Sequence, residues 1–326
     1  MKEDEIRKRE VFNKYLDLVR IDAEQFFSDK IKFISIDCPA CGSASNKEEI
    51  VKNGFTYVQC TDCATLFVSP RPPFSELMKF YADSPSTNFW VKEFFLPVAE
   101  VRREKIFKPR ATYIAERFPT LCKKKVGDIG SGFGIFLEEM KILWPSADLI
   151  AIEPSQEMAQ LCRNKGFKVL ESPLESIDSG SNQFDLLTAF ELFEHLYEPK
   201  SFLEKVYQLL SPGGYFYLTT LNGLGFDIQI LWDKSKSVSP PHHLNFLNPW
   251  SLSHLMESVG FKIIETTTPG QLDWDIVEGQ FNNENIDPGR FWRTLSKYGT
   301  SINKLKLQEW IRESNFSSHV CIIVQK

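Results

Sequence analysis

Val126-Gly127-Asp128-Ile129-Gly130-Ser131-Gly132-Phe133-Gly134 is the stretch that decides the fold of this chain. A short apolar run ends in three alternating glycines and leads into a helical pattern, Phe133–Leu143. A strand that ends this way lets the chain turn sharply and lets a ligand lie against bare backbone. It also turns the unpaired N–H groups of the helix N-terminus towards that ligand. The order is Asp-x-Gly-x-Gly-x-Gly, with the acid ahead of the first glycine. It differs from Gly-x-Gly-x-x-Gly, the pyrophosphate fingerprint, and suits a cationic amino-acid ligand better than a diphosphate.

Outward from this loop, strand and helix patterns alternate. Strands are expected at Val126–Ile129, Asp148–Ile152, Lys168–Glu171, Phe184–Ala189, Tyr215–Thr220, Phe261–Thr266 and His319–Val324. Helices are expected at Phe133–Leu143, Gln156–Lys165, Pro199–Leu210 and Ser251–Val259, with a turn at Pro212-Gly213-Gly214. Phe184–Ala189 is a continuous apolar run, as a strand covered on both faces requires. The pattern predicts an α/β fold: a doubly wound, mostly parallel, seven-stranded Rossmann-like sheet. Glu153 closes the second strand, 25 residues after Asp128, where a carboxylate can accept both hydroxyls of a ribose.

Four segments, in order, resemble the class I S-adenosylmethionine (SAM)-dependent methyltransferases: Val126–Gly134, Ile152-Glu-Pro-Ser155, Phe184–His195 and Leu209-Leu-Ser-Pro-Gly-Gly214. The resemblance covers about residues 125–266. It implies a SAM site in which Asp128, Gly130, Ser131, Gly132 and Gly134 hold the methionine part. Glu153, with Pro154 and Ser155, would hold the ribose. Leu174, in Ser172-Pro-Leu-Glu175, would flank the adenine, and Phe190 and Glu191 would form the opposite wall. An NAD-binding Rossmann domain and a catalytically dead relative are the competing readings.

Ahead of this region stand Cys38-Pro-Ala-Cys41 and Cys60-Thr-Asp-Cys63, two C-x-x-C pairs 18 residues apart. That spacing falls in the zinc-ribbon window. Four thiolates on two tight turns can surround one ion at ~2.3 Å and leave no open position, so the predicted zinc is structural. Two disulfides or a redox motif are the alternatives. The module and the helical lead that follows it resemble a bacterial group of zinc-ribbon-tailed SAM methyltransferases. That resemblance implies a sugar, a nucleotide-linked sugar or a polysaccharide precursor as the acceptor. Cys122, Cys162 and Cys321 read as ordinary buried thiols.

Methyl transfer from a sulfonium needs an aligned nucleophile and a group to take its proton. The chain has five histidines. His242 and His243, in Pro240-Pro-His-His-Leu-Asn245, lie in a long loop after the fifth strand and are the first candidates for the base or substrate anchor. His195, with Glu194, is next. Glu191-Leu-Phe-Glu194-His195 also resembles the Glu-x-x-Glu-His pattern of quinone-biosynthesis O-methyltransferases, where such residues are associated with a divalent metal. Here Glu194 and His195 read first as groups that orient the following segment. His254 and His319 read as structural.

The chain of 326 residues is 42% hydrophobic and carries a formal net charge of −5. It has no long basic run, which argues against nucleic acid. No apolar stretch nears the ~20 residues that cross a bilayer, and Met1–Glu10 lacks the apolar core of a signal peptide. The expectation is a cytoplasmic protein with a small-molecule partner and no membrane partner. The expected segments are a helix within 1–34, a zinc module at 35–72, a helical linker at 73–124 and the methyltransferase domain at 125–326. An insert occupies about 267–317, and its Asp273-Trp-Asp275 and Trp292-Arg293 suit either a sugar or a self-packed lid. The expected function is SAM-dependent methyl transfer to that acceptor. Metal-assisted O-methylation of a phenolic or quinone precursor and a non-catalytic binding module are the alternatives.

Overall fold

The computed structural model describes residues 2–180, 183–284 and 286–326. Alternation of apolar runs with amphipathic stretches gives eleven strands among these residues. They are β1 (Asn46–Lys52), β2 (Phe55–Cys60), β3 (Leu66–Val68), β4 (Lys125–Ile129), β5 (Asp148–Ile152) and β6 (Lys168–Leu170). β7 (Phe184–Phe190), β8 (Leu210–Leu221), β9 (Asn245–Phe246), β10 (Lys262–Thr267) and β11 (His319–Gln325) follow. They form a seven-stranded sheet in the order β10-β11-β8-β7-β4-β5-β6 and a four-stranded sheet in the order β1-β2-β3-β9.

In the larger sheet β4 pairs in parallel with β5 and β7, β5 with β6, and β7 with β8. β11 runs antiparallel to β8: Gly213 N donates to Lys326 O, and Lys326 N donates to Gly214 O. The sheet is therefore the mostly parallel, doubly wound one expected from the sequence. Helices Ile135–Leu143, Gln156–Asn164, Pro199–Leu209 and Pro249–Val259 stand between its strands. Its central strands are buried on both faces, as parallel strands under helices must be. Val126, Phe136, Met140, Leu149, Ala151 and Leu186 form the centre of the core.

The chain folds into two compact units. One comprises Met1–Val98, Leu221–Leu252 and Thr267–Val320; the other comprises Ala99–Thr220, Ser253–Thr266 and Cys321–Lys326. These units cut across the segments delimited in the sequence. The cysteine segment, the loop after β8 and the insert belong to one unit, and the helices from residue 99 belong to the other. In the sheet unit, Arg103 bonds Glu138 and Glu139, which ties residues 103–117 to helix Ile135–Leu143.

One local expectation changes. Pro212-Gly213-Gly214 is not a turn before the strand but lies inside β8, because Gly213 and Gly214 pair with the chain end beyond β11. The insert holds helices Asp273–Glu284, Arg290–Tyr298 and Ser301–Glu313. Trp274, Val277 and Ile311 pack there with Phe226 and Leu231. Among the described residues no helix is long and apolar enough to cross a membrane.

Candidate active site

The glycine loop lies in the sheet unit, between β4 and helix Ile135–Leu143. Gly130, Gly132 and Gly134 have φ of +69°, +52° and +69°, a region that other residues enter at a cost. The loop is closed onto the end of β5. Gly130 N donates to Ile152 O at 2.8 Å, and Ser131 Oγ accepts from Ile152 N at 3.1 Å. The glycines differ in what they face. A Cβ on Gly132 would meet nothing within 4 Å, whereas one on Gly134 would lie 3.0 Å from Cys162 Sγ. Bare backbone at Gly132 leaves room for a ligand; at Gly134 it serves helix packing.

Two acids are buried around this loop. Glu153 accepts from Gly132 N at 2.8 Å and from Ser155 N at 2.9 Å. Burial raises its carboxyl above the usual range against those two donors. Asp128 accepts from Thr188 Oγ1 at 2.7 Å, and burial pushes it up to about 7. The Thr188 bond and the Arg110 charge oppose that rise, and Glu153 adds to it. A cation placed between these acids would reverse the penalty. Ser155 is exposed and caps helix Gln156–Asn164 through Met158 N, beside exposed Pro154. Leu174 is buried at the start of a single 3-10 turn.

Phe190 ends β7, and Glu191 follows it. The Phe190 ring meets Phe136 edge-on at 4.7 Å, and the Arg110 guanidinium lies 4.2 Å from its centroid. Glu191 has φ +51° and accepts from Thr219 Oγ1 at 2.8 Å and from Arg110 Nη2 at 3.4 Å. Glu194 is fully buried and accepts from Thr220 Oγ1 at 2.6 Å; burial, then the Glu191 charge, pushes it up to about 8. His195 is half-buried and closes the turn Phe193–His195.

The other unit holds the histidine pair, and its two members differ. His242 is 5% exposed. Its ring lies among Phe80 at 4.8 Å, Tyr81 at 5.6 Å and Tyr15 at 5.8 Å, with Nε2 3.4 Å from Ser86 Oγ. That is a core environment. His243 is half-buried, and its Nδ1 lies 2.6 Å from the Ser237 carbonyl oxygen. A carbonyl only accepts, so Nδ1 carries a proton and donates it to Ser237 O. In the insert, Asp273 is consumed by Ser317 and Ser318, and Trp274 lies 5.9 Å from Trp292.

In the same unit the Sγ atoms of Cys38, Cys41, Cys60 and Cys63 lie within 4.8 Å of one another. Cys38 and Cys63 are 3.4 Å apart, and Cys41 and Cys60 are 3.6 Å apart. Thiolates at ~2.3 Å from one tetrahedral ion would sit about 3.8 Å apart, so the donor set fits a metal. A disulfide would need ~2.05 Å, and all seven cysteines are free. Each C-x-x-C is a knuckle: Gly42 N donates to Cys38 O, and Ala64 N donates to Cys60 O, with both donors at positive φ.

Sequence reasoning missed Arg110, Thr188, Thr219 and Thr220. Thr188 carried a signal, as the lone hydroxyl among the apolar residues of β7. Arg110 had none, since it stands in a helix ahead of the motif.

A family model described as a methyltransferase domain matches residues 100–266. Over 162 residues the chain is 28% identical to the ubiquinone biosynthesis O-methyltransferase of Pectobacterium atrosepticum, across 47% of this chain and 64% of that protein. It is 30% identical over 166 residues to the protein of the same name from Escherichia fergusonii, across 48% and 65%. The chain thus spans just under two thirds of the length of these curated relatives. Of the solved structures, the plantazolicin methyltransferase BpumL in complex with SAH aligns at TM-score 0.48 and 17% identity, covering 77% of this chain and 93% of that one. Coclaurine N-methyltransferase bound to N-methylheliamine and SAH aligns at TM-score 0.46 and 14% identity, covering 68% and 72%. The family match spans more than half of the sequence and coincides with the sheet that carries the glycine loop and its two buried acids; this chain belongs to the methyltransferase-domain family.

Proposed function

We propose that the protein transfers a methyl group from SAM to a small-molecule acceptor. The observation that carries this reading is the buried pair Asp128 and Glu153 beside the open backbone of Gly132. Such a site fits a cationic nucleoside: Glu153 would take the ribose hydroxyls, and Asp128 would answer the positive charge of the amino-acid end. Gly130, Ser131 and Gly134 would shape the loop, Pro154 and Ser155 would hold the end of β5, and Leu174, Phe190 and Glu191 would line the cofactor. SAM supplies a methyl group on a good leaving group, so the protein's own task is alignment and proton removal.

His243 is the proposed base, because it is half-buried outside the aromatic cluster that holds His242, with its ring oriented by the Ser237 carbonyl. His242 is reassigned to the core that supports it. Glu194 and His195 are proposed to shape the end of β7. The four cysteines are proposed to bind one structural zinc ion.

For the acceptor we infer a sugar, a nucleotide-linked sugar or a related polysaccharide precursor, following the resemblance of the zinc-ribbon arrangement. A phenolic or quinone precursor is the second reading, favoured by the names of the curated relatives. Incubation with labelled SAM and separate panels of sugar nucleotides and catechols tests both. Transfer to catechols alone, abolished by a chelator that spares the zinc, overturns the sugar reading in favour of the second. Transfer to neither panel by a protein that binds SAM overturns both acceptor assignments.

A further inference from the structure

The loop that carries the histidine pair makes little regular structure of its own. Between residues 235 and 248 only the two residues of β9 are a strand, and β9 exists by pairing with β3 of the cysteine module. Asp227, Tyr81, Asn13 and Glu284 also bond this loop, and the module adds further bonds of its own. Tyr57 Oη donates to His243 O at 2.6 Å, and Val68 N donates to Leu244 O at 2.9 Å. Arg71, 1% exposed, donates to Asn245 Oδ1 at 3.0 Å. Lys52 Nζ donates to Ser235 O at 2.7 Å.

The end of the loop is tied to the cysteine knuckle itself. Asn248 is 1% exposed, and its Nδ2 donates to Cys63 O at 2.8 Å. Its Oδ1 accepts from Trp250 N and Ser251 N, capping helix Pro249–Val259. One side chain therefore joins the Cys60–Cys63 turn to the exit of the loop. Buried polar groups of this kind are costly to leave unmatched, so the loop's conformation and the knuckle's are specified together.

We propose that the four-cysteine centre serves the reaction as a template: closing it around a metal folds the module on which the 235–248 loop is ordered. Asn248 is the positioning residue that passes this order to His243. Binding an ion stabilises the folded arrangement of its four ligands, so order in the two knuckles rises with the metal. Coupling of this kind is reciprocal: what the metal does for the loop, the loop bond does for metal affinity. The role of His243 rests on the methyl-transfer reading; the coupling of loop to metal does not.

The test is hydrogen exchange on the full-length protein, zinc-loaded and after chelation, with N248D beside wild type. Asp at 248 keeps an oxygen for the helix cap, loses the donor to Cys63 O and sets a second acceptor against that carbonyl. With zinc saturating, N248D should exchange about tenfold or more faster across 240–248 while 126–134 stays at wild-type protection. Its zinc affinity should fall, and chelated wild type should lose protection at 38–63 and 240–248 together. In turnover, N248D should lower kcat while SAM affinity stays within about twofold, a split that loss of the cofactor site would not give. Wild-type protection across 240–248 in N248D, or in chelated protein that has lost protection at 38–63, overturns the proposal. Absence of SAM binding in wild type removes the methyl-transfer reading and leaves the exchange result to decide the coupling alone.

Discussion

Asp128→Asn should make the protein more stable and less able to hold its ligand. Burial lifts the Asp128 carboxyl from 3.8 to about 7. Its folded value lies above its unfolded one, so the folded state binds the proton more tightly. The penalty for the charged form is absent below about pH 4, grows between 4 and 7 and is complete above 7. A rise from 3.8 to about 7 corresponds to ~4 kcal/mol against the fold once the group is ionised. Asparagine retains an oxygen for Thr188 Oγ1 and carries no charge. Its amide hydrogens then need an acceptor, which offsets the gain by ~1–3 kcal/mol. The expected net effect is a stabilisation of ~1–3 kcal/mol at about pH 8, read as a higher urea midpoint. The gain should vanish by about pH 4.5. Removing the charge should weaken SAM roughly ten- to hundredfold in calorimetry, the worth of one charged hydrogen bond. A D128N protein no more stable than wild type at pH 8, with the same dependence on pH, would refute the reasoning about burial. Unchanged SAM affinity would refute the assignment of the residue.

Gly132→Val should abolish SAM binding while leaving the thermal transition within a few degrees. A β-branched residue at φ +52° costs ~1–2 kcal/mol, but the larger effect is a side chain filling the open space proposed for the ligand. Wild-type affinity in that variant would move the cofactor elsewhere. Cys60→Ser should release zinc, measured by metal analysis, and expose residues 35–72 to protease while β4–β8 stay protected. A full complement of zinc in that protein would overturn the ligand set. His243→Gln should lower kcat by roughly 10²–10⁴ with little change in SAM affinity, and His242→Gln should instead lower the melting temperature. An equal kinetic loss in both variants, without loss of stability, would contradict the separation of their roles.

The α/β sheet was legible because its signals are local. Apolar runs, Asp128 to Gly134 and Glu153 all lie within two strand-turn-helix units, so the glycine loop and its acid were found together. What escaped depends on partners distant in sequence. Pro212-Gly213-Gly214 reads as a turn in isolation, but the backbone of Lys326 draws it into β8. His242 and His243 are equivalent in the sequence and become unlike only through Phe80 and Tyr81 on one side and Ser237 on the other. The cysteine spacing marked the four-cysteine cluster but not the pairing of its β3 with β9, since a two-residue strand leaves no periodicity to read. Trp274 and Trp292 were open to a sugar platform or a self-packed lid; Trp274 is buried in the insert's cluster, and half-buried Trp292 packs against it at 5.9 Å.

If the glycine loop with Asp128 and Glu153 holds SAM, calorimetric titration of the purified, zinc-loaded protein with S-adenosylhomocysteine, beside NAD, should give micromolar binding of S-adenosylhomocysteine and none of NAD. A folded protein with its zinc in place that binds NAD, or that binds neither, would contradict it.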